Sequence, residues 1–83
     1  MKKKKLLEKI LSGSKNIQFD EMVLLVEAFG FRLDRVSGSH HIFKHPDVPE
    51  LVNIQNRKGK AQPYQVRQFL AIVEENSLTL KEK

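Results

Sequence analysis

Between residues 31 and 55 apolar and polar residues alternate, and the alternation is broken at Ser37-Gly38 and at His45-Pro46. Successive strand side chains point to opposite faces, so alternation predicts half-buried strands. Three short strands follow. Residues 31–36 place Phe31 and Leu33 inward with Arg32 and Asp34 outward. Residues 39–45 form the second strand, and residues 50–55 the third, with Val52 and Ile54 on one face. The link at Ser37-Gly38 is so short that it predicts an antiparallel hairpin. Pro46 ends the second strand because it has no N–H for the ladder, and residues 47–49 read as the next turn.

Helical spacing flanks this block on both sides. Leu6, Leu7, Ile10 and Leu11 form an apolar stripe that stops at Ser12-Gly13-Ser14, with Gly13 suited to a left-handed position past the helix end. Residues 20–29 predict a largely buried second helix carrying Met22, Val23, Leu25, Val26 and Phe29. Asp20 is the expected N-cap, with Phe19 and Leu24 at staple spacing. Gly30 is its stop, and Phe31 folds back toward Val26 in a Schellman ending. Pro63 suits the first position of a last helix in which Val66, Phe69, Leu70 and Val73 repeat, with Asn76 as its stop. Leu78 and Leu80 are expected to tuck against the core, and Lys81-Glu82-Lys83 to fray.

The order is therefore α-α-β-β-β-α. Three antiparallel strands with both faces wet are unstable, so the helices are expected on one face and the other is left for binding. The fold class is α+β, in a single domain spanning 1–83. At 83 residues there is room for one core and one working surface.

Cysteine is absent, which removes disulfides, thiolate catalysis and Cys-zinc sites. No apolar run approaches membrane-spanning length, and the basic N-terminus lacks the pattern of a signal peptide, so a cytoplasmic protein is expected. Fifteen Lys and Arg against ten Asp and Glu leave a net charge of +5, which favours polyanionic partners. The run Lys2 to Lys5 reads as a solvated terminus or as an arm toward phosphate or an acidic partner.

All three histidines, His40, His41 and His45, lie within six positions. Histidine is the side chain whose ordinary pKa lets it take and give a proton near neutrality. If Phe43 enters the core, His40, three strand positions earlier, faces the open side, while His41 shares the side of Phe43. His40 is thus the candidate for chemistry. A metal is disfavoured: His40 and His41 diverge, and His41 and His45 stand ~13 Å apart on a straight strand, against zinc–nitrogen bonds of about 2 Å. Ser39 adjoins His40 but points the other way on an ideal strand, so no Ser-His-Asp triad is indicated. The four glycines are isolated, so no phosphate-binding glycine loop is present. The basic loop carrying Arg57, Lys58 and Lys60 runs toward a helix N-terminus and reads either as a phosphate site or as an ordinary solvated turn.

Gly30-Phe31, then the run Gly38-Ser39-His40-His41-Ile42-Phe43-Lys44-His45-Pro46, then a third strand and a Pro63-led helix, resemble the HicA family of bacterial toxins. The resemblance assigns residues 19–80 to a HicA-like core and residues 1–18 to an N-terminal helical extension. It implies a fold like the double-stranded-RNA-binding domain, and an mRNA interferase, an endoribonuclease that works without cofactor or metal. It implies RNA as substrate and a HicB-type antitoxin as inhibitor. The family's catalytic histidine follows the Gly-Ser pair, which is His40 here, with Ser39, Lys44, Arg57, Lys58 and Lys60 as the expected RNA contacts. Many members carry a second histidine near the end of the third strand, where this chain has Gln55, Asn56 and Arg57. The alternative is a non-catalytic module of the same fold that binds RNA or an acidic protein through the open basic sheet.

Overall fold

The computed structural model describes residues 3–13 and 16–80. The expectations for Lys2, Ser14 and the 81–83 tail lie outside these residues. Three helices and three strands follow in the expected order: α1 (Lys3–Leu11), α2 (Phe19–Ala28), β1 (Arg32–Ser37), β2 (His40–His45), β3 (Val48–Gln55) and α3 (Pro63–Glu75). The strands form one antiparallel sheet in the order β1-β2-β3.

Helix α2 begins earlier than Asp20 predicts. Gln18 is the N-cap, and its N–H donates to Glu21 Oε1 at 3.0 Å. A carboxylate three residues into the helix thereby satisfies a backbone donor, and Asp20 becomes an exposed first-turn residue. The shift moves the staple positions from Phe19 and Leu24 to Ile17 and Met22, which are both buried. The far end is as expected. Gly30, at φ 100°, donates to the Glu27 carbonyl at 3.0 Å, and Phe31 N–H reaches the Val26 carbonyl at 3.4 Å.

The first hairpin turn is Gly38-Ser39, one residue later than expected, so Ser37 pairs with His40. Gly38 has φ 60°, a conformation costly for any residue with a Cβ. The second turn is Pro46-Asp47 rather than 47–49, and β3 starts at Val48 with Pro49 inside it. Proline is tolerated there because β3 is an edge strand and the register with β2 slips between Phe43 and His45.

Strand β1 departs furthest from expectation. Leu33 is 48% exposed although it pairs with the buried Phe43. The helices pack chiefly beneath β3, so β1 overhangs them. A bulge between Leu33 and Arg35 then inserts Asp34 as an extra residue.

The core is continuous from α1 to the sheet. Phe69 of α3 meets Phe29 and Phe31 edge-on, at centroid distances of 5.6 and 5.7 Å. Met22, Leu25 and Val26 of α2 and Ile54 of β3 are fully buried beside them. Leu6 and Ile10 bury one side of α1 while Leu11, expected in the same stripe, is 64% exposed. Lys9 of α1 pairs with Glu21 of α2 at 3.2 Å. Leu78 and Leu80 pack half-buried against the core.

The connection from β3 to α3 is ordered by a second small pairing. Arg57 and Lys60 exchange both backbone hydrogen bonds across Lys58 and Gly59, whose φ values of 54° and 84° suit a type I′ turn. The Gly59 carbonyl accepts Phe19 N–H at 2.9 Å, and Ile17 accepts Ala61 N–H at 3.0 Å. The basic loop is thus laced to the start of α2.

Candidate active site

His40 opens β2 directly after the Gly38-Ser39 turn. Its ladder partners are Ser37 on β1 and Gln55 on β3. Phe43 is 1% exposed, which puts His40, three positions away, on the face turned from the helices. His40 is half-buried there. Its Nδ1 lies 3.1 Å from Oδ1 of Asn53, the β3 residue paired with Ile42. An amide oxygen only accepts, so this contact requires a proton on Nδ1, and in the neutral ring that arrangement puts the lone pair on Nε2. An imidazole held this way has one nitrogen anchored and the other available for proton transfer.

Ser39 belongs to the turn and not to the strand, so the ideal-strand argument for its direction does not apply. Its hydroxyl accepts a hydrogen bond from Gln55 Nε2 at 3.2 Å, and its carbonyl accepts Asn56 N–H at 2.9 Å. The backbone N–H of Gln55 donates in turn to the buried Gln65 of α3 at 2.7 Å. Gln55 therefore braces the hairpin mouth beside His40, in the region where a second histidine was absent from the sequence.

The other two histidines are packed. His41 turns toward the helices with its ring 4.7 Å from Phe19, and its Nδ1 is buried without a hydrogen-bond partner. His45 is buried, lies 5.0 Å from Phe31, and accepts the Asp47 N–H on Nδ1 at 3.0 Å, closing the second turn. Among the described residues no three His, Cys, Asp or Glu side chains converge as a metal would require.

The expected cations separate into two groups. Lys44 shares the face of His40 but stands four strand residues away, roughly 13 Å, and its Nζ is 3.3 Å from Asp34. Arg57, Lys58 and Lys60 are exposed on the turn after β3. Asn56 ties the start of that turn to Ser39 through its N–H, and its Oδ1 accepts Gly59 N–H at 2.8 Å. Lys60 is drawn the other way, to Asn16 at 2.6 Å.

Two residues were missed from the sequence. Asn53 was legible in principle: it falls between the inward-facing Val52 and Ile54, on the same face as His40. Arg35 was not, because the bulge at Asp34 sets which face it takes. By register Arg35 pairs with Ile42, so it flanks His40 diagonally on the β1 side as Asn53 does on the β3 side. Arg35 bonds Asp34 at 2.6 Å. The hydrogen bond from Lys44, then that from Arg35, holds the Asp34 carboxyl below its usual range.

Two apolar hollows, of about 250 and 490 Å³, lie on the helical side, and neither is lined by a histidine. The candidate residues sit on an open sheet face instead, a shape that suits an extended polyanion.

A family model described as the HicA toxin of bacterial toxin-antitoxin systems matches residues 19–74. This stretch contains every residue of the candidate site. No curated protein gives a significant match to the chain. No described helix is long and apolar enough to cross a membrane.

Proposed function

Because the chain belongs to the HicA family of bacterial toxins, with ribonuclease activity and an antitoxin partner in general terms, we propose that it is a metal-independent endoribonuclease in which His40 transfers the proton and a HicB-type antitoxin holds it inactive. The observation that supports this most is the His40–Asn53 contact, which engages Nδ1 and so favours Nε2 as the nitrogen assigned to proton transfer. RNA carries its own nucleophile. Nε2 of His40 takes the proton of a 2′-OH as that oxygen bonds to the adjacent phosphorus. The bond from phosphorus to the 5′-oxygen breaks, and water protonates the leaving oxygen. The products are a 2′,3′-cyclic phosphate and a 5′-hydroxyl.

Negative charge grows on the phosphoryl oxygens during this step. Arg35 flanks His40 on the same face, and Arg57 follows Asn56, whose N–H bonds the Ser39 carbonyl, so these two are the cations assigned to offset it. The Ser39 hydroxyl already accepts from Gln55, which leaves its own hydrogen to donate to a phosphate oxygen. Lys44, Lys58 and Lys60 guide the strand at longer range. General acid–base help contributes typically ~10²–10⁴-fold, so a slow enzyme is expected.

The test is cleavage of an RNA oligonucleotide by wild type and His40→Ala, both in EDTA. Cleavage by wild type alone, ending in a cyclic phosphate, is the expected result. Equal cleavage by both proteins overturns the role of His40. Binding without cleavage by either favours the non-catalytic module. Cutting of the matching DNA, which lacks the 2′-OH, rules out this mechanism.

A further inference from the structure

We infer that Asn53 is the positioning residue for His40, fixing which ring nitrogen is free to act on RNA; the inference rests on His40 being the proton-transfer group. A histidine at the first position of a strand, next to a glycine turn, has little around it to choose a rotamer or a tautomer. The Asn53 side-chain oxygen, 3.1 Å from Nδ1, supplies both constraints, because it can accept there only when Nδ1 carries a proton. Asn53 itself is on a rigid support. It is paired with Ile42 in the ladder, and its neighbours Val52 and Ile54 are 2% and 0% exposed. Its side chain is exposed on the open face, so it contributes nothing to the core.

The choice of an amide has a chemical consequence. A carboxylate at this distance favours the charged imidazolium, whereas a neutral oxygen orients the ring without trapping the proton. It also puts no negative charge where phosphates must lie. The other groups around His40 on that face are Ser37 and Arg35 of β1, Ile42 of β2 and Gln55 of β3, and none of them is acidic. Asp34, further along β1, is held by Lys44 and Arg35.

The experiment is single-turnover cleavage of an RNA oligonucleotide across pH 5–9 by wild type, Asn53→Ala, Asn53→Asp and His40→Ala, with RNA affinity measured in parallel. Asn53→Ala is expected to slow cleavage roughly 10–100-fold, a part of the general-base contribution, with RNA affinity little changed. Asn53→Asp is expected to recover part of the rate, with the basic-form limb of the pH profile moved up by about one unit. If Asn53→Ala cleaves at the wild-type rate while His40→Ala is inactive, Asn53 has no positioning role and the assignment of His40 stands. An unmoved pH limb in Asn53→Asp also overturns the positioning role. Cleavage by His40→Ala at the wild-type rate removes the premise itself.

Discussion

The side-chain oxygen of Gln65, buried in α3, accepts the backbone N–H of Gln55 at the end of β3, 2.7 Å away. Gln55 is the ladder partner of His40, so one hydrogen bond from the helical layer reaches the strand end that carries the site. Gln65→Leu keeps the volume and removes the acceptor. Leaving the Gln55 N–H unsatisfied costs about 1–3 kcal/mol. Denaturant unfolding checks this. Equal unfolding midpoints for wild type and Gln65→Leu would show that the N–H finds water instead.

The three histidines invite a comparison that separates packing from chemistry. His45 is 9% exposed, packs on Phe31 and accepts the Asp47 N–H. Its replacement by Ala removes both contacts and costs about 2–3 kcal/mol. His40 is half-buried and packs on nothing in the core, so His40→Ala should unfold within about 0.5 kcal/mol of wild type while losing cleavage. The opposite pattern, a stable His45→Ala and an unfolded His40→Ala, would reverse the assignments.

Much of this architecture was legible because local rules and burial agree. Gly30, Gly38 and Pro63 punctuate the chain where the structure turns or starts a helix, and Phe43 sets the face of His40 by simple alternation. The failures share one cause. Leu33 faces the helix side as alternation predicts, yet no helix extends under β1 to cover it, and coverage is a property of the whole packing. Asp20 is a good cap by residue type, but Glu21 reaching back to Gln18 wins the helix start. Within the site, Asn53 lay on the expected face of β3, whereas Arg35 depended on a bulge that no residue type announces. The loop carrying Arg57, Lys58 and Lys60 was visible as a basic turn. Its lacing to Ile17 and Phe19 is a long-range backbone contact without a local signature.

Acid should loosen the junction of α1 and α2. The Glu21 carboxyl is held below its usual range chiefly by the Gln18 N–H, which outweighs the opposing desolvation, and Lys9 adds to the lowering. A carboxyl depressed on folding stabilises the fold above its unfolded pKa, and that share is lost as pH falls through the folded value. The loss therefore begins near the ordinary glutamate range, roughly pH 4–5, and completes below it. Glu21→Gln keeps a hydrogen-bond acceptor at the same position but does not titrate. Its thermal midpoint should change less between pH 6 and pH 3 than that of wild type. Parallel pH dependences would assign the acid sensitivity elsewhere.

Asp34 ties down two cations of the open face, Lys44 at 3.3 Å and Arg35 at 2.6 Å. RNA must compete with this carboxylate for both. Asp34→Asn releases them and raises the formal net charge from +5 to +6. Each extra phosphate contact on a single strand steepens the dependence of log affinity on log salt by about 0.7. If RNA engages both freed side chains, the slope should steepen by about 1.4; if it engages Arg35 alone, by about half of that. The measurement is RNA binding across a salt series, made in the His40→Ala background so that the strand survives. Adding Lys44→Ala to Asp34→Asn then separates the two cations: a gain that persists belongs to Arg35, on the diagonal from His40, and a gain that vanishes belongs to Lys44. A slope identical to that of the Asp34 parent would mean that RNA does not cross the β1 side of the sheet, and the path of the strand would have to run from His40 toward Arg57.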